Sequence, residues 1–292
     1  MAVGTPAHLP DTTHLGRVRL RVRDLDRSLE FYEGLLGMAR RERSTNRAVL
    51  SSRGDGPELV VLEADPAAAD RPRRTTGLYH FALLYPDRAS LAAAFLQLAR
   101  HDWPFQGFAD HLVSEAIYLA DPDGNGIELY ADRPRLEWRR VGQDLAMDTL
   151  PLDLDSLVAE LGAERDGPFR GMAPGTVLGH VHLHVSDLSA AEAFYSGVLG
   201  FEVTVRGYPG ALFFAAGGYH HHVGTNIWAG RGAPRPPERA VGLLDFSIHT
   251  TRPAAAAAAE RAQRAGWTVR ETEGAWCVTG LDGVEVRLVP AQ

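Results

Sequence analysis

Two segments of this chain repeat one another through a strand, a cap and a helix: GRVRLRVRDLDRSLEFYEGLLGM and GHVHLHVSDLSAAEAFYSGVLGF. Val22 matches Val185, Asp24 matches Asp187, Phe31 matches Phe194, Tyr32 matches Tyr195 and Gly37 matches Gly200, always with the same offset of 163 residues. A constant offset over three kinds of local structure means duplication, which limits the chain to folds built from a repeated unit. In the first copy, alternating Val18, Leu20 and Val22 predict a strand. Asp24 can cap a helix carrying Leu25, Leu29, Phe31, Tyr32 and Leu35 on one face, and Gly37 ends it.

A related but different unit follows each copy. GLYHFALLYPDRASLAAAFLQLARHDW reads as a strand, a turn at Pro86 and an amphipathic helix, and GLLDFSIHTTRPAAAAAAERAQRAGW repeats that order, with the run Ala254 to Ala259 serving as a good helix former. Each then closes in a hairpin. The chain is therefore four units, A, B, A′ and B′, each of one strand, one helix and about three strands. Residues 1–135 carry A and B, residues 136–176 form a linker with a short helix from Asp155 to Leu161, and residues 177–292 carry A′ and B′.

The hairpin closing unit B, HLVSEAIYLADPDGNGIELYADRP, concentrates polar chemistry. AIYLA and IELY suit two strands, and DPDGNG suits a sharp turn in which Gly124 and Gly126 are free to take positive φ. Alternation puts Glu128 and Tyr130 on one side and the apolar Ile127 and Leu129 on the packed side. A lone glutamate so placed is most often simply solvated, so its neighbours decide its meaning.

Composition narrows the partners. With 292 residues, 45% hydrophobic and 23% charged, the chain can bury a substantial core. A net charge of −7, with the short basic clusters (Arg71, Arg73 and Arg74; Arg139 and Arg140) flanked by Asp70 and Glu137, argues against nucleic acid. No apolar run reaches the roughly 20 residues of a membrane span, and MAVGTPAHLPDTTHLG lacks a charged and then apolar leader, so a cytoplasmic protein without a membrane partner is expected. The single Cys277, in GAWCVTG, reads as a structural residue.

VRDLDRSLEFYEGLLG and VSDLSAAEAFYSGVLG, with GLYHFA, SEAIYLADPDGNGIELYADRP and GGYHHHVGTNIWAG, resemble the vicinal oxygen chelate superfamily (the extradiol dioxygenase and glyoxalase–bleomycin resistance fold), and within it the two-domain bacterial catechol 2,3-dioxygenases. The likeness spans nearly the whole chain. His111, Ile117, Tyr118, Pro122, Gly124 and Glu128 fit the extradiol signature, and Ala109 departs from it mildly, away from the chemistry. The resemblance implies an α+β fold of four βαβββ modules forming two cupped, barrel-like mixed sheets. It also implies extradiol cleavage of a catechol by dioxygen to a muconic semialdehyde.

An iron(II) that must bind both a diol and dioxygen needs only three protein ligands, two imidazoles and a carboxylate on one face. The first strands of the four units offer Arg17, His80, His180 and Asp245 at equivalent places, and the last strands of B and B′ offer Glu128 and Glu285. Arginine does not ligate iron, so the complete set is His80, Glu128 and His180, with manganese(II) compatible with the same ligands. Only crossed pairing, B with A′ and A with B′, unites them in one chain; sequential pairing would need a dimer, and a homodimer or higher homo-oligomer is allowed. By resemblance, the run YHHHVGTN supplies an acid–base histidine. Treated as a strand, it puts His220 and His222 on one face and His221 on the other, and points to His222, then His221, because Gly224 and Asn226 share the first face. Also by resemblance, His111 and Tyr118 would hydrogen-bond the second diol oxygen or the ring-cleaved species. His182 and His184 alternate with the packing residues of HVHLHV and read as ordinary core or surface residues rather than ligands, and His101, His249, His8 and His14 receive no role, the last two at an expected mobile start. Tyr130, Phe105, Trp228 and Phe214 could line a pocket, although core is the commoner fate of such residues. The rival readings are hydroquinone cleavage, a glyoxalase-like metal-dependent isomerase or thiol transferase, and a metal-free binder of aromatic drugs.

Overall fold

The computed structural model describes residues 8–272 and 274–291. Unit A comprises β1 (His14–Val22), α1 (Leu25–Leu29), β2 (Ala39–Arg43), β3 (Arg47–Ser51) and β4 (Val60–Ala64). Unit B comprises β5 (Gly77–Tyr85), α2 (Arg88–Arg100), β6 (Phe105–Asp110), β7 (Ser114–Ala120) and β8 (Gly126–Asp132). The connecting segment holds β9 (Arg140–Val141), β10 (Asp144–Leu145) and α3 (Leu154–Ala159). Unit A′ follows as β11 (Val177–His184), α4 (Leu188–Glu192), β12 (Glu202–Val205), β13 (Ala211–Ala215) and β14 (Val223–Asn226). Unit B′ is β15 (Gly242–Thr250), α5 (Arg252–Arg264), β16 (Thr268–Thr272), β17 (Ala275–Thr279) and β18 (Glu285–Pro290).

The sequence caps act as expected. Asp24 and Asp187 accept hydrogen bonds from the Arg27 and Ala190 amides, and Asp87 does the same for Ser90 at the start of α2. After one turn, α1 and α4 each widen into a π-helical stretch, Glu30–Leu35 and Ala193–Leu199. The 3.6-residue periodicity does not announce this, but the duplication does carry it to both copies. Leu9 is buried with its amide on the Gly200 carbonyl, His14 opens β1 and stacks on His249, and Cys277 is buried on β17.

Strand order runs β12-β13-β14-β11-β5-β8-β7-β6 in one eight-stranded sheet and β16-β17-β18-β15-β1-β4-β3-β2 in the other. Each sheet thus joins a unit from one half of the chain to a unit from the other, the crossed arrangement. The seams are antiparallel, β11 with β5 and β1 with β15, while β5–β8 and β11–β14 are parallel, giving two mixed sheets in an α+β molecule. A single large apolar core runs through both sheets and their helices.

The turn closing unit B is locked onto unit A. Asp121 accepts from its own Asp123 and Asn125 amides and from the Tyr32 hydroxyl, and the buried Asp123 carboxylate takes Arg23 and Arg27. Gly124 has φ +82, as the turn requires. Gly126, expected at positive φ as well, is instead needed for space: a Cβ there would lie 2.0 Å from the Tyr79 carbonyl oxygen. Among the described residues, no helix is long and apolar enough to cross a membrane.

Candidate active site

Three neighbouring strands bring the predicted donors together. Across β11, β5 and β8 the register runs His180, Ala82, Glu128 in one row, and His182 stands opposite His80 one pleat away. Residues side by side on adjacent strands point to the same face, and the small Ala82 between them lets the His180 and Glu128 side chains meet above it. His80 Nε2 and His180 Nε2 each lie 3.0 Å from Glu128 Oε2, and the ligand-type atoms of the three residues all lie within 4.8 Å of one another. All three are buried.

Burial alone would raise the Glu128 carboxyl, but the flanking His180 and His80 imidazoles outweigh it and hold the group well below the usual carboxylate range. Burial lowers both histidines, which favours the neutral ring that a metal needs. His80 Nε2, although close to the carboxylate, has no hydrogen-bond partner, and neither has His180 Nδ1. A buried donor set converging on one point with an imidazole nitrogen left unpartnered there fits a divalent cation better than a hydrogen-bonded cluster.

The histidine tract differs from its strand expectation. Gly217 and Gly218, with φ +62 and +65, turn the chain after β13, and β14 begins only at Val223, so strand alternation does not reach residues 220–222. His222 faces away from the metal-type cluster: its Nδ1 accepts from the Ala216 amide at 3.3 Å and its ring packs near Phe201 and Tyr219. His221, ranked second from sequence, lies over His180 with ring centroids 4.1 Å apart and lines the cavity in front of the cluster. His220 joins it from behind, with Nε2 3.0 Å from Asp132 Oδ1 and Nδ1 2.8 Å from His221 Nδ1. The Gly-Gly pair was the signal that could have removed the strand reading.

The cavity holds about 310 Å³ and is lined by His80, Glu128, His221, His111 and Tyr118. His111 Nδ1 is 2.7 Å from the Asp148 carbonyl, which can only accept, so Nδ1 carries the proton and Nε2 accepts from the Tyr118 hydroxyl at 2.7 Å. The connecting segment contributes Met147 and Thr149 to the rim. Of the four aromatic residues considered as lining, Trp228 lines the cavity, whereas Phe105 and Phe214 belong to the core and Tyr130 is buried with its hydroxyl on Tyr219. His182, read as an ordinary core or surface residue, lines the cavity. The HVHLHV alternation had put it on the face of His180, but alternation cannot say which face looks into a cup.

The family model of the glyoxalase/bleomycin resistance protein/dioxygenase superfamily matches residues 14–129 and 177–285. The chain belongs to this superfamily. The two matched stretches of this superfamily member are its two halves, each carrying one copy of the repeat. It is 45% identical over 273 residues to a catechol-2,3-dioxygenase of Bacillus subtilis strain 168, covering 92% of this chain and 94% of that one, and this similarity supports a dioxygenase enzyme. A crystal structure from Bacillus subtilis subsp. subtilis strain 168 shares its fold with a TM-score of 0.67 at 12% identity, over 97% of this chain and 86% of that one. Glyoxalase I from Zea mays shares it with a TM-score of 0.57 at 17% identity, over 96% and 92%. For the superfamily member described here, dioxygenase relatedness implies a metal cofactor, and the His80, Glu128 and His180 cluster is a candidate for its place.

Proposed function

We propose that this protein is an extradiol ring-cleaving dioxygenase that holds iron(II) at His80, Glu128 and His180 and converts a catechol and dioxygen to a muconic semialdehyde. The observation that carries the reading is the convergence of two imidazoles and one carboxylate at a cavity lined in part by aromatic rings, with polar groups disposed around it. Manganese(II) suits the same ligands. When bound, the metal would chelate the diol, lower its hydroxyl pKa and link ring and dioxygen electronically.

The protein's own part is to hold the diol and handle protons. Asp132 accepts from His220 Nε2, so His220 Nδ1 accepts from His221 Nδ1–H, which leaves His221 Nε2 as a basic nitrogen beside the substrate. Burial first, and then the neighbouring His180 and His220 rings, hold His221 well below its ordinary value, so it is neutral before substrate enters, and its free Nε2 is placed to exchange a proton with the bound diol. Opposite it, Tyr118 spends its hydroxyl hydrogen on His111, so its oxygen is free to accept from a diol hydroxyl. Burial, reinforced by Glu128, pushes the Tyr118 phenol well up, which keeps it protonated in this role.

The test is anaerobic reconstitution with iron(II), then catechol and air, with absorbance followed for a yellow semialdehyde. Metal uptake with product supports the reading; neither uptake nor product overturns it.

A further inference from the structure

His182 is a residue the reaction above leaves unused. It is buried on β11, lines the cavity, and its Nε2 has no hydrogen-bond partner. An unmade hydrogen bond on a buried polar atom is costly, so a native protein that keeps one beside a cavity has reserved it for something that enters. Its place is also made for it. Gly224 sits opposite on β14, and a Cβ there would come within 2.9 Å of the His182 ring, so this neighbour must lack a side chain for the imidazole to stand where it does. The ring packs against His80 at 5.1 Å and Trp228 at 5.5 Å between centroids, which sets it between the metal-type cluster and the partly exposed Trp228. It is not one of the three convergent donors.

Resting on the dioxygenase reading, we infer that His182 selects the substituent of the aromatic diol, offering Nε2 to a neutral polar group such as an ether, hydroxyl or carbonyl oxygen. The walls on this side are Tyr79, Phe213, Tyr208 and Trp228, which suit an aromatic ring. No arginine is among the described residues lining the cavity and the sequence has no lysine, so a carboxylate on the substituent would find no cationic partner. The preferred substrates are therefore catechols with an uncharged, hydrogen-bonding substituent, in preference to alkyl or carboxylated ones. A site with a built polar group discriminates against an analogue that leaves it unpaired.

The experiment is anaerobic binding to iron-loaded enzyme, read as Kd for isosteric pairs: 3-methoxycatechol against 3-ethylcatechol, the corresponding 4-substituted pair, and 3,4-dihydroxyphenylacetate against its methyl ester. Unsubstituted catechol is the control, and its failure to bind or to be cleaved would overturn the dioxygenase reading itself. Given that control, the wild type should favour methoxy over ethyl by about tenfold in one of the two pairs, the scale of one hydrogen bond, and the ester over the acid. His182→Phe should bring the methoxy-to-ethyl ratio close to one while iron content and catechol affinity stay near wild type. Equal binding of methoxy and ethyl in both wild-type pairs overturns the inference whether or not the variant folds. So does tighter binding of the acid than the ester, or loss of iron from His182→Phe, which would make the residue part of the metal site.

Discussion

The two sheets are built alike, but among the described residues only one holds a cluster fit for a metal. At the positions held by His180 and His182 the other sheet has Arg17 and Arg19, and opposite Arg19, where the first sheet has His80, it has Asp245. There the charges answer one another. Asp245 takes both arginines, Arg17 also reaches Glu58 at 3.4 Å and Arg19 reaches Glu63 at 3.0 Å, while Glu285, the counterpart of Glu128, pairs with Arg270. In the first sheet Glu128 lies buried between the imidazoles of His80 and His180, each with a nitrogen atom unpartnered. The same scaffold is thus self-satisfied in one copy and left with unused donors in the other. Function lies in what the side chains leave undone, not in the fold.

The difference can be broken hardest at His180. His180→Ala should lose metal and turnover by more than the roughly 100-fold that removal of an outer partner costs, whereas Arg17→Ala should retain both, measured by metal content and oxygen uptake. Asp245→Ala should do the reverse, costing about 2 kcal/mol of stability by removing the buried carboxylate that two arginines share, with metal content unchanged in a denaturant titration paired with metal analysis. His221→Asn should lower turnover about 100-fold with metal retained, and His222→Asn should leave turnover near wild type; equal losses in the two would remove His221 from its assigned role.

Glycine gives a finer test. Gly16 and Gly179 are equivalent, yet a Cβ at Gly179 would come within 1.7 Å of the Tyr130 hydroxyl in a fully buried cluster, while one at Gly16 meets the more accessible His249 ring and the Ser247 hydroxyl. Gly179→Ala should cost about 2 kcal/mol or more and Gly16→Ala less, by overpacking. The gentlest effect is with pH. Burial first, and then neighbouring positive groups, lowers His222 to about 3 from an ordinary 6.5, and burial lowers His249 as well. The unfolded chain takes up these protons near pH 6.5 and the folded one only at lower pH, near 3 for His222. Their contribution is therefore intact above about pH 6.5 and drains as pH falls below it. The melting temperature of metal-free protein should drop between about pH 7 and 5, and His222→Phe should flatten the slope.

Much of this was legible in the sequence because duplication turns one unit into a check on the others. The constant offset between copies located equivalent strands, the chemical poverty of Arg17 excluded one unit, and the requirement for two imidazoles and a carboxylate in one chain pointed to the crossed pairing seen in the strand order. What failed was local. The histidine tract looked like a strand because its residues allow one, but the Gly217–Gly218 turn and the start of β14 are set by packing across β13. His182 carries no role in the sequence reading because periodicity reports a face and not what that face sees. The π-helical widening after α1 likewise depends on tertiary context.

Crossing has a consequence in time as well as space. A ribosome delivers His80 and Glu128 together, in one unit, but their third companion arrives only when β11 has emerged and joined β5. A nascent chain stopped before residue 180 owns two donors and no centre. Metal that binds only the finished trio would then stabilise chains in which β11 has joined β5 over shorter ones, tying the ion to the joining of the two halves.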